Sequence, residues 1–214
     1  MKKIIISVIV IVCIVSGFFI IKIQLNWVRG EMTKKPVIYL YPKENQHINV
    51  KLNYSGELTC TYPAYTNGWD VIAQPNGELI NKADGRSYQY LYWEGKTKKN
   101  NWDLSSGFVI KGEDTLLFLQ EKLSELGLTD RELNDFIAYW LPYMIHNKYN
   151  LIKFAGSEYE EVAKLDINPE PDSVLRVFMV FKPLDKFVEV ERQIFKPFER
   201  TGFTVVEWGG TEVN

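Results

Sequence analysis

The stretch WDVIAQPNGELINKADGRSYQYLYWE, residues 69–94, sets the architecture of the folded body. Asn76-Gly77 and Asp84-Gly85 tolerate the positive φ of two-residue hairpin turns, and they separate three apolar-rich runs. Trp69–Gln74, Glu78–Lys82 and Ser87–Glu94 are therefore predicted to run as an antiparallel meander. Upstream, Ile48, Val50, Leu52 and Tyr54 alternate with Asn49, Lys51 and Asn53, the period of a strand with one face on a core. Ser55-Gly56 then turns the chain. Leu58, Cys60 and Tyr62 supply the next inward face, with Cys60 read as a buried free thiol.

Downstream the period changes. Leu116, Leu119, Leu123 and Leu126 are spaced for a helix face, and Gly127 stands where a helix C-terminus favours it. Thr129 with Glu132 forms a capping box ahead of Leu133, Phe136, Ile137, Trp140, Leu141, Met144 and Ile145, a second amphipathic helix over 130–145. Pro142 lacks an amide donor and clashes with the carbonyl of Ala138, so that helix should kink or stop there. Strands return at Leu151–Phe154, Val162–Ile167, Val174–Phe181 and Phe203–Trp208. Val174–Phe181 is apolar on both faces except at Arg176, which predicts a central strand covered on both sides. The expected class is α+β: an antiparallel β-meander followed by a helical pair and further strands, the helices packed on the sheet, with an N-terminal transmembrane helix ahead of them.

That transmembrane helix rests on Ile4–Ile21, an uncharged run long enough to cover roughly 27 Å at 1.5 Å per residue, close to the hydrocarbon thickness of a bilayer. Val15-Ser16-Gly17 offers a poor cleavage pattern, so a cleaved secretory signal is the alternative. The division expected is a signal-anchor over 1–22, a basic juxtamembrane tether over 23–35, and a single extracytoplasmic domain over 36–214. Of 25 basic and 27 acidic residues, the first 35 positions hold six bases and one acid, which leaves residues 36–214 with 19 bases against 26 acids, a net −7. Such a body repels a phosphate backbone and shows no basic cluster, so nucleic acid is excluded as a partner. The partners expected are the membrane, through residues 4–21, and a cell-envelope glycan or envelope protein.

The common hydrolase, nucleotide and zinc motifs are absent, and the two histidines, His47 and His146, lie about a hundred residues apart. No metal and no cofactor are expected. Tyr88, Tyr90, Tyr92 and Glu94 share one face of Ser87–Glu94, and Tyr39 and Tyr41 share another strand face. Flat aromatic rings beside carboxylates suit sugar rings, which present apolar C–H faces and hydroxyl rims; cross-strand packing on a half-buried sheet is the plainer reading. Glu94 and Glu207 both end strands. Glu207 shares a face with Phe203 and Val205, where burial raises a carboxyl pKa as a general acid requires. Two such groups on one cleft would form the carboxylate pair of a glycosidase; alternatively Glu207 pairs with a buried base such as Arg176. Asp70, beside Trp69, is a further ligand-binding candidate.

The stretches Lys35-Pro36-Val37-Ile38-Tyr39-Leu40-Tyr41-Pro42, Gly68-Trp69 with Pro75-Asn76-Gly77, Tyr90-Leu91-Tyr92-Trp93-Glu94-Gly95 and Glu207-Trp208-Gly209-Gly210 together resemble an uncharacterised family of bacterial exported or membrane-anchored proteins. The resemblance spans nearly the whole body. It implies an architecture and a compartment and transfers no catalytic residue. Three functions follow as expectations. The first is a membrane-anchored extracytoplasmic domain that binds a cell-envelope glycan through Tyr88, Tyr90, Tyr92, Trp69 and Asp70. The second is a glycosidase-like hydrolase using Glu94 and Glu207. The third is a scaffold that offers the apolar face of helix 130–145 to an envelope partner.

Overall fold

Strands whose side chains are apolar on both faces must be covered twice, and here they are covered once by helices and once by a second sheet. The computed structural model describes residues 31–98 and 102–213. Eight strands run in the order β12 (Glu191–Arg192), β8 (Ser106–Lys111), β9 (Tyr149–Ala155), β11 (Ser173–Leu184), β13 (Thr204–Glu212), β1 (Glu31–Tyr41), β7 (Leu91–Thr97) and β3 (Gly56–Tyr62). A five-stranded sheet runs β10 (Ala163–Asn168), β2 (Gln46–Tyr54), β4 (Trp69–Ala73), β5 (Leu79–Asn81) and β6 (Ser87–Tyr88). The helices are α1 (Thr115–Leu126), α2 (Asp130–Met144) and the short α3 (Ser157–Val162).

The eight-stranded sheet is the middle layer. Val37 and Tyr39 of β1, Val177 and Met179 of β11, and Val206 and Trp208 of β13 pack against Phe118, Leu119 and Leu123 of α1 and Leu133, Phe136, Trp140 and Met144 of α2. The alternate residues Ile38, Leu40, Phe178, Val180 and Val205 pack the other way, against Ile48, Val50, Trp69, Val71 and Leu79 of the five-stranded sheet. Period-two alternation thus builds two cores from one set of strands. Each fully buried Phe-sized side chain contributes about 1.5–3 kcal/mol. β11 lies between antiparallel β9 and parallel β13, the central position its sequence predicts.

The mixed α+β class and the helical pair agree with expectation. Gly127 ends α1 with φ 101° and donates to the carbonyls of Leu123 and Ser124. Thr129 and Glu132 close the capping box, with the Glu132 carboxylate accepting the Thr129 N–H at 2.8 Å. α2 continues past Pro142 to Met144, because its apolar face is held on the sheet. The buried α1 stripe includes Phe118, whereas Leu116 is 36% exposed.

Several expectations are corrected. β4, β5 and β6 form the meander, but Ser87–Glu94 is not one strand: Ser87–Tyr88 ends it, and Leu91–Thr97 begins a strand of the other sheet. Ser55-Gly56 is likewise a crossing between sheets rather than a hairpin, since β2 pairs with β4 and β10 while β3 pairs with β7. β3 is therefore an edge strand, and its Cys60 is exposed, not buried. Residues 31–35, read from sequence as tether, are the first part of β1 and pair with β7 through Glu31↔Thr97, Met32↔Lys96 and Thr33↔Gly95. The membrane span expected at 4–21 lies outside the described residues. Among the described residues, no helix is long and apolar enough to cross a membrane.

Candidate ligand-binding site

The register of β1 decides where the two glutamates go. Ile38 stands opposite Glu207 on β13, and Val37 stands opposite both Trp208 and Tyr92. Glu207 consequently shares the sheet-to-sheet face with Ile38 and Val205, whereas Tyr92 and Glu94 share the helix-side face with Val37 and Tyr39. The two carboxylates project from opposite faces of one sheet, so they do not open onto one cleft, and the glycosidase pairing is corrected by this geometry. Glu207 is fully buried. Its Oε2 accepts Arg176 Nε at 2.7 Å, Arg176 Nη2 lies 2.6 Å from the same oxygen, and its Oε1 accepts Trp93 Nε1 at 3.2 Å. The guanidinium also lies over the Tyr159 ring, 4.6 Å from its centroid. Burial, the largest single influence, would lower the Arg176 pKa, but the Glu207 charge, Tyr159 and the hydrogen bond to Glu207 together outweigh it and the guanidinium is held above its ordinary value.

The tyrosine stripe is divided by the same crossing. Tyr88, on β6, is buried in the sheet-to-sheet core against Tyr62 and donates its hydroxyl to Asp84 Oδ2 at 2.6 Å. Trp69 is buried and donates Nε1 to the Pro63 carbonyl at 2.9 Å, so it offers no ring face to a ligand. Asp70 points to solvent from the outer face of the five-stranded sheet, bonded to His47 and, at 3.2 Å, to Lys82. The His47 bond is the main cause of its carboxyl lying below the usual value. These three residues take no part in the site below.

Tyr90 and Tyr92 do come together, and α2 adds two further tyrosines. Tyr139 and Tyr143 are one turn apart on α2, with ring centroids 5.7 Å apart. Lys35 Nζ lies 5.2 Å from the Tyr92 centroid, 5.4 Å from Tyr90 and 5.8 Å from Tyr139; Lys34 Nζ lies 5.2 Å from Tyr143. Tyr90 packs edge-on against Tyr39, which stacks in turn near Tyr41. Two carboxylates flank the rings. Glu94 Oε1 accepts the Lys35 backbone N–H at 3.2 Å, and Asp135 Oδ2 accepts the Tyr39 hydroxyl at 2.8 Å. Burial, then the bond to Glu94, raises the Tyr92 pKa; burial, then the Glu94 charge, raises that of Tyr139. Both phenols stay protonated, and so remain hydrogen-bond donors, at any ordinary pH. Tyr143 is 45% exposed and gives the surface its open side.

Tyr139 and Tyr143 escape a sequence reading because their spacing also fits the apolar face of a helix. Their i, i+4 separation beside Trp140 was the available signal. Lys34 and Lys35 escape because nothing local marks a bulge. Among the described residues, no three His, Cys, Asp or Glu side chains converge as a metal site. A separate cavity of about 360 Å³ lies between α1, β8 and residues 187–192, floored by Phe108 and Phe118. The Lys122 ammonium on its wall is already paired with Glu121 at 2.9 Å and with Glu125, so the tyrosine surface is the better-equipped site.

No protein-family model matches the chain, and no solved structure matches it. A stretch of 64 residues is 44% identical to a protein of Butyrivibrio fibrisolvens described as "Uncharacterized protein in bglA 3'region". The aligned part is 28% of this chain, and the chain covers 65% of the length of that relative. Neither an activity nor a ligand comes from this likeness.

Proposed function

We propose that the chain is a membrane-anchored domain held outside the cytoplasm that binds a glycan of the cell envelope on the surface formed by Tyr90, Tyr92, Tyr139 and Tyr143. The carrying observation is the convergence of these rings from two elements around Lys34 and Lys35, with Glu94 and Asp135 at the margin. Ring faces stack on the C–H faces of sugars, while phenol hydroxyls, ammoniums and carboxylates answer the hydroxyl rim. The hydrolase reading loses its chemistry once Glu94 and Glu207 project from opposite faces. The scaffold reading loses its surface, since the apolar face of α2 is already covered by the sheet.

The test is retention of the full chain, in detergent, on purified peptidoglycan sacculi and on wall polysaccharide. Tyr143→Ala removes a half-exposed ring with little effect on folding, and Tyr92→Ala removes a deeper one. Retention that falls tenfold or more in both variants supports the reading; absence of retention, or retention unchanged in both, overturns it.

A further inference from the structure

In a regular strand Lys34 and Lys35 would project from opposite faces of the sheet. In β1 they do not. The pairing register slips between Lys34 and Val37 on the β13 side and between Thr33 and Val37 on the β7 side, and Lys35 adopts φ 57°. Lysine is rarely found in that left-handed region, which favours glycine and, after it, asparagine. A bulge of this kind re-aims side chains. Here it brings two consecutive lysines to one surface, Lys34 over Tyr143 and Lys35 among Tyr90, Tyr92 and Tyr139.

Both lysines are half-buried, yet among the described residues neither ammonium has a carboxylate within the 4.0 Å of an ion pair. The nearby acids already accept other donors: Glu94 the Lys35 backbone N–H, Asp135 the Tyr39 hydroxyl. Among the described residues, the other buried basic side chains are each matched, Lys122 with Glu121 at 2.9 Å, Lys153 with Glu158 at 3.2 Å and Arg176 with Glu207 at 2.6 Å. An ammonium lying over ring faces keeps its N–H donors for another partner. The pair therefore presents unspent donors and positive charge beside stacking rings.

We propose that Lys34 and Lys35 form an anion subsite, so that the saccharide bound here carries a carboxylate, as a uronic acid or a muramic acid does. This rests on the glycan-binding reading above and adds the charge of the ligand to it. Residues 36–214 carry a net −7, which disfavours a densely charged polymer and suits a sugar with isolated carboxylates.

The experiment presents the full chain in detergent with matched probes: hyaluronan oligosaccharide and muramyl disaccharide, each beside its carboxyl-reduced form. The expected result is at least tenfold tighter binding of one or more carboxylate forms than of the matched reduced sugar. Lys34→Met and Lys35→Met should bring that preference to within twofold, and Lys35→Arg should retain it. Lys35→Gly separates binding from folding: glycine is at ease at φ 57°, so this variant should melt no lower than the parent and still lose the preference. Equal binding of acidic and reduced sugars by the parent overturns the anion subsite and leaves the glycan reading standing. A preference that survives both Met variants also overturns it. Binding of no probe overturns the glycan reading and the subsite with it.

Discussion

Substituting Glu207 by glutamine tests whether this carboxylate is structural. Glu207 is fully buried and accepts from two donors at once, Arg176 at 2.7 Å and Trp93 Nε1 at 3.2 Å. Glutamine conserves the volume but has only one accepting end. If the amide oxygen faces Arg176, the amide nitrogen meets the Trp93 N–H; if it turns, it meets the guanidinium. One buried donor is orphaned either way, at about 1–3 kcal/mol. The greater loss is the charge: Arg176, its side chain only 10% exposed, keeps a cation with the Tyr159 ring beneath it and no counter-ion. Breaking a buried pair from one side costs about 3–5 kcal/mol, a range that already contains part of the orphaned-donor penalty. For a folded body of this size each kcal/mol moves Tm by about 2–4 °C, so a fall of about 6–20 °C is expected. Urea unfolding followed by tryptophan fluorescence gives the free energy directly. Removing the stranded cation in the double variant Arg176→Met with Glu207→Gln should restore about 2 kcal/mol or more relative to Glu207→Gln. A loss under about 1 kcal/mol for the single variant, or a double variant no more stable than it, would refute the structural assignment.

Three other outcomes are expected. Gly95→Ala places a Cβ 2.3 Å from Tyr54 Cε1, and Tyr54 is held by Trp93 at 4.9 Å and by Thr33, so the overpacking should cost about 1–3 kcal/mol in the same unfolding assay; an unchanged midpoint would show that the ring moves freely. Thr129→Ala removes the hydroxyl half of the α2 capping box, leaving the Thr129 N–H on Glu132, and should cost about 1 kcal/mol, a loss that a Thr129→Ser variant largely avoids. The Tyr88 phenol, pushed up to about 12 chiefly by its hydrogen bond to Asp84, should show that midpoint in tyrosine-labelled carbon NMR and return toward 10.0 in Asp84→Asn. Because the folded value is the higher one, the stability from this bond is fully present below pH 10 and disappears as pH rises through 12; a midpoint unmoved by Asp84→Asn would rule the bond out as its cause.

The features legible in the chain alone are local in origin. Gly127 and the Thr129–Glu132 box act within a few residues of themselves and appear in the structure as read; Asn76-Gly77 and Asp84-Gly85 also mark turns, but only Gly77 (φ 85°) and Gly85 (φ 70°) take positive φ, and the connections are the longer stretches 74–78 and 82–86 rather than two-residue hairpin turns. The doubly apolar Val174–Phe181 also carried its own answer, since such a strand is stable only when covered on both sides. Even the partner of Glu207 could be named, because Arg176 interrupts an otherwise apolar strand.

The tertiary structure decided which sheet each strand joins and which face each carboxylate enters. Tyr88, Tyr90, Tyr92 and Glu94 alternate without a break, but alternation says only that one face is buried; it is silent on the crossing at Gln89–Tyr90 that sends Tyr88 into one core and Tyr92 to the other side of the middle sheet. Glu94 and Glu207 lie on separate strands joined through β1, and only pairing register fixes their relative side. The tyrosine surface shows the same dependence. Its rings come from β7, the residue before it and α2, and its cations from a bulge in β1, so no contiguous segment contains it. Contacts between residues distant in the chain are formed by packing, and packing is a property of all the elements together.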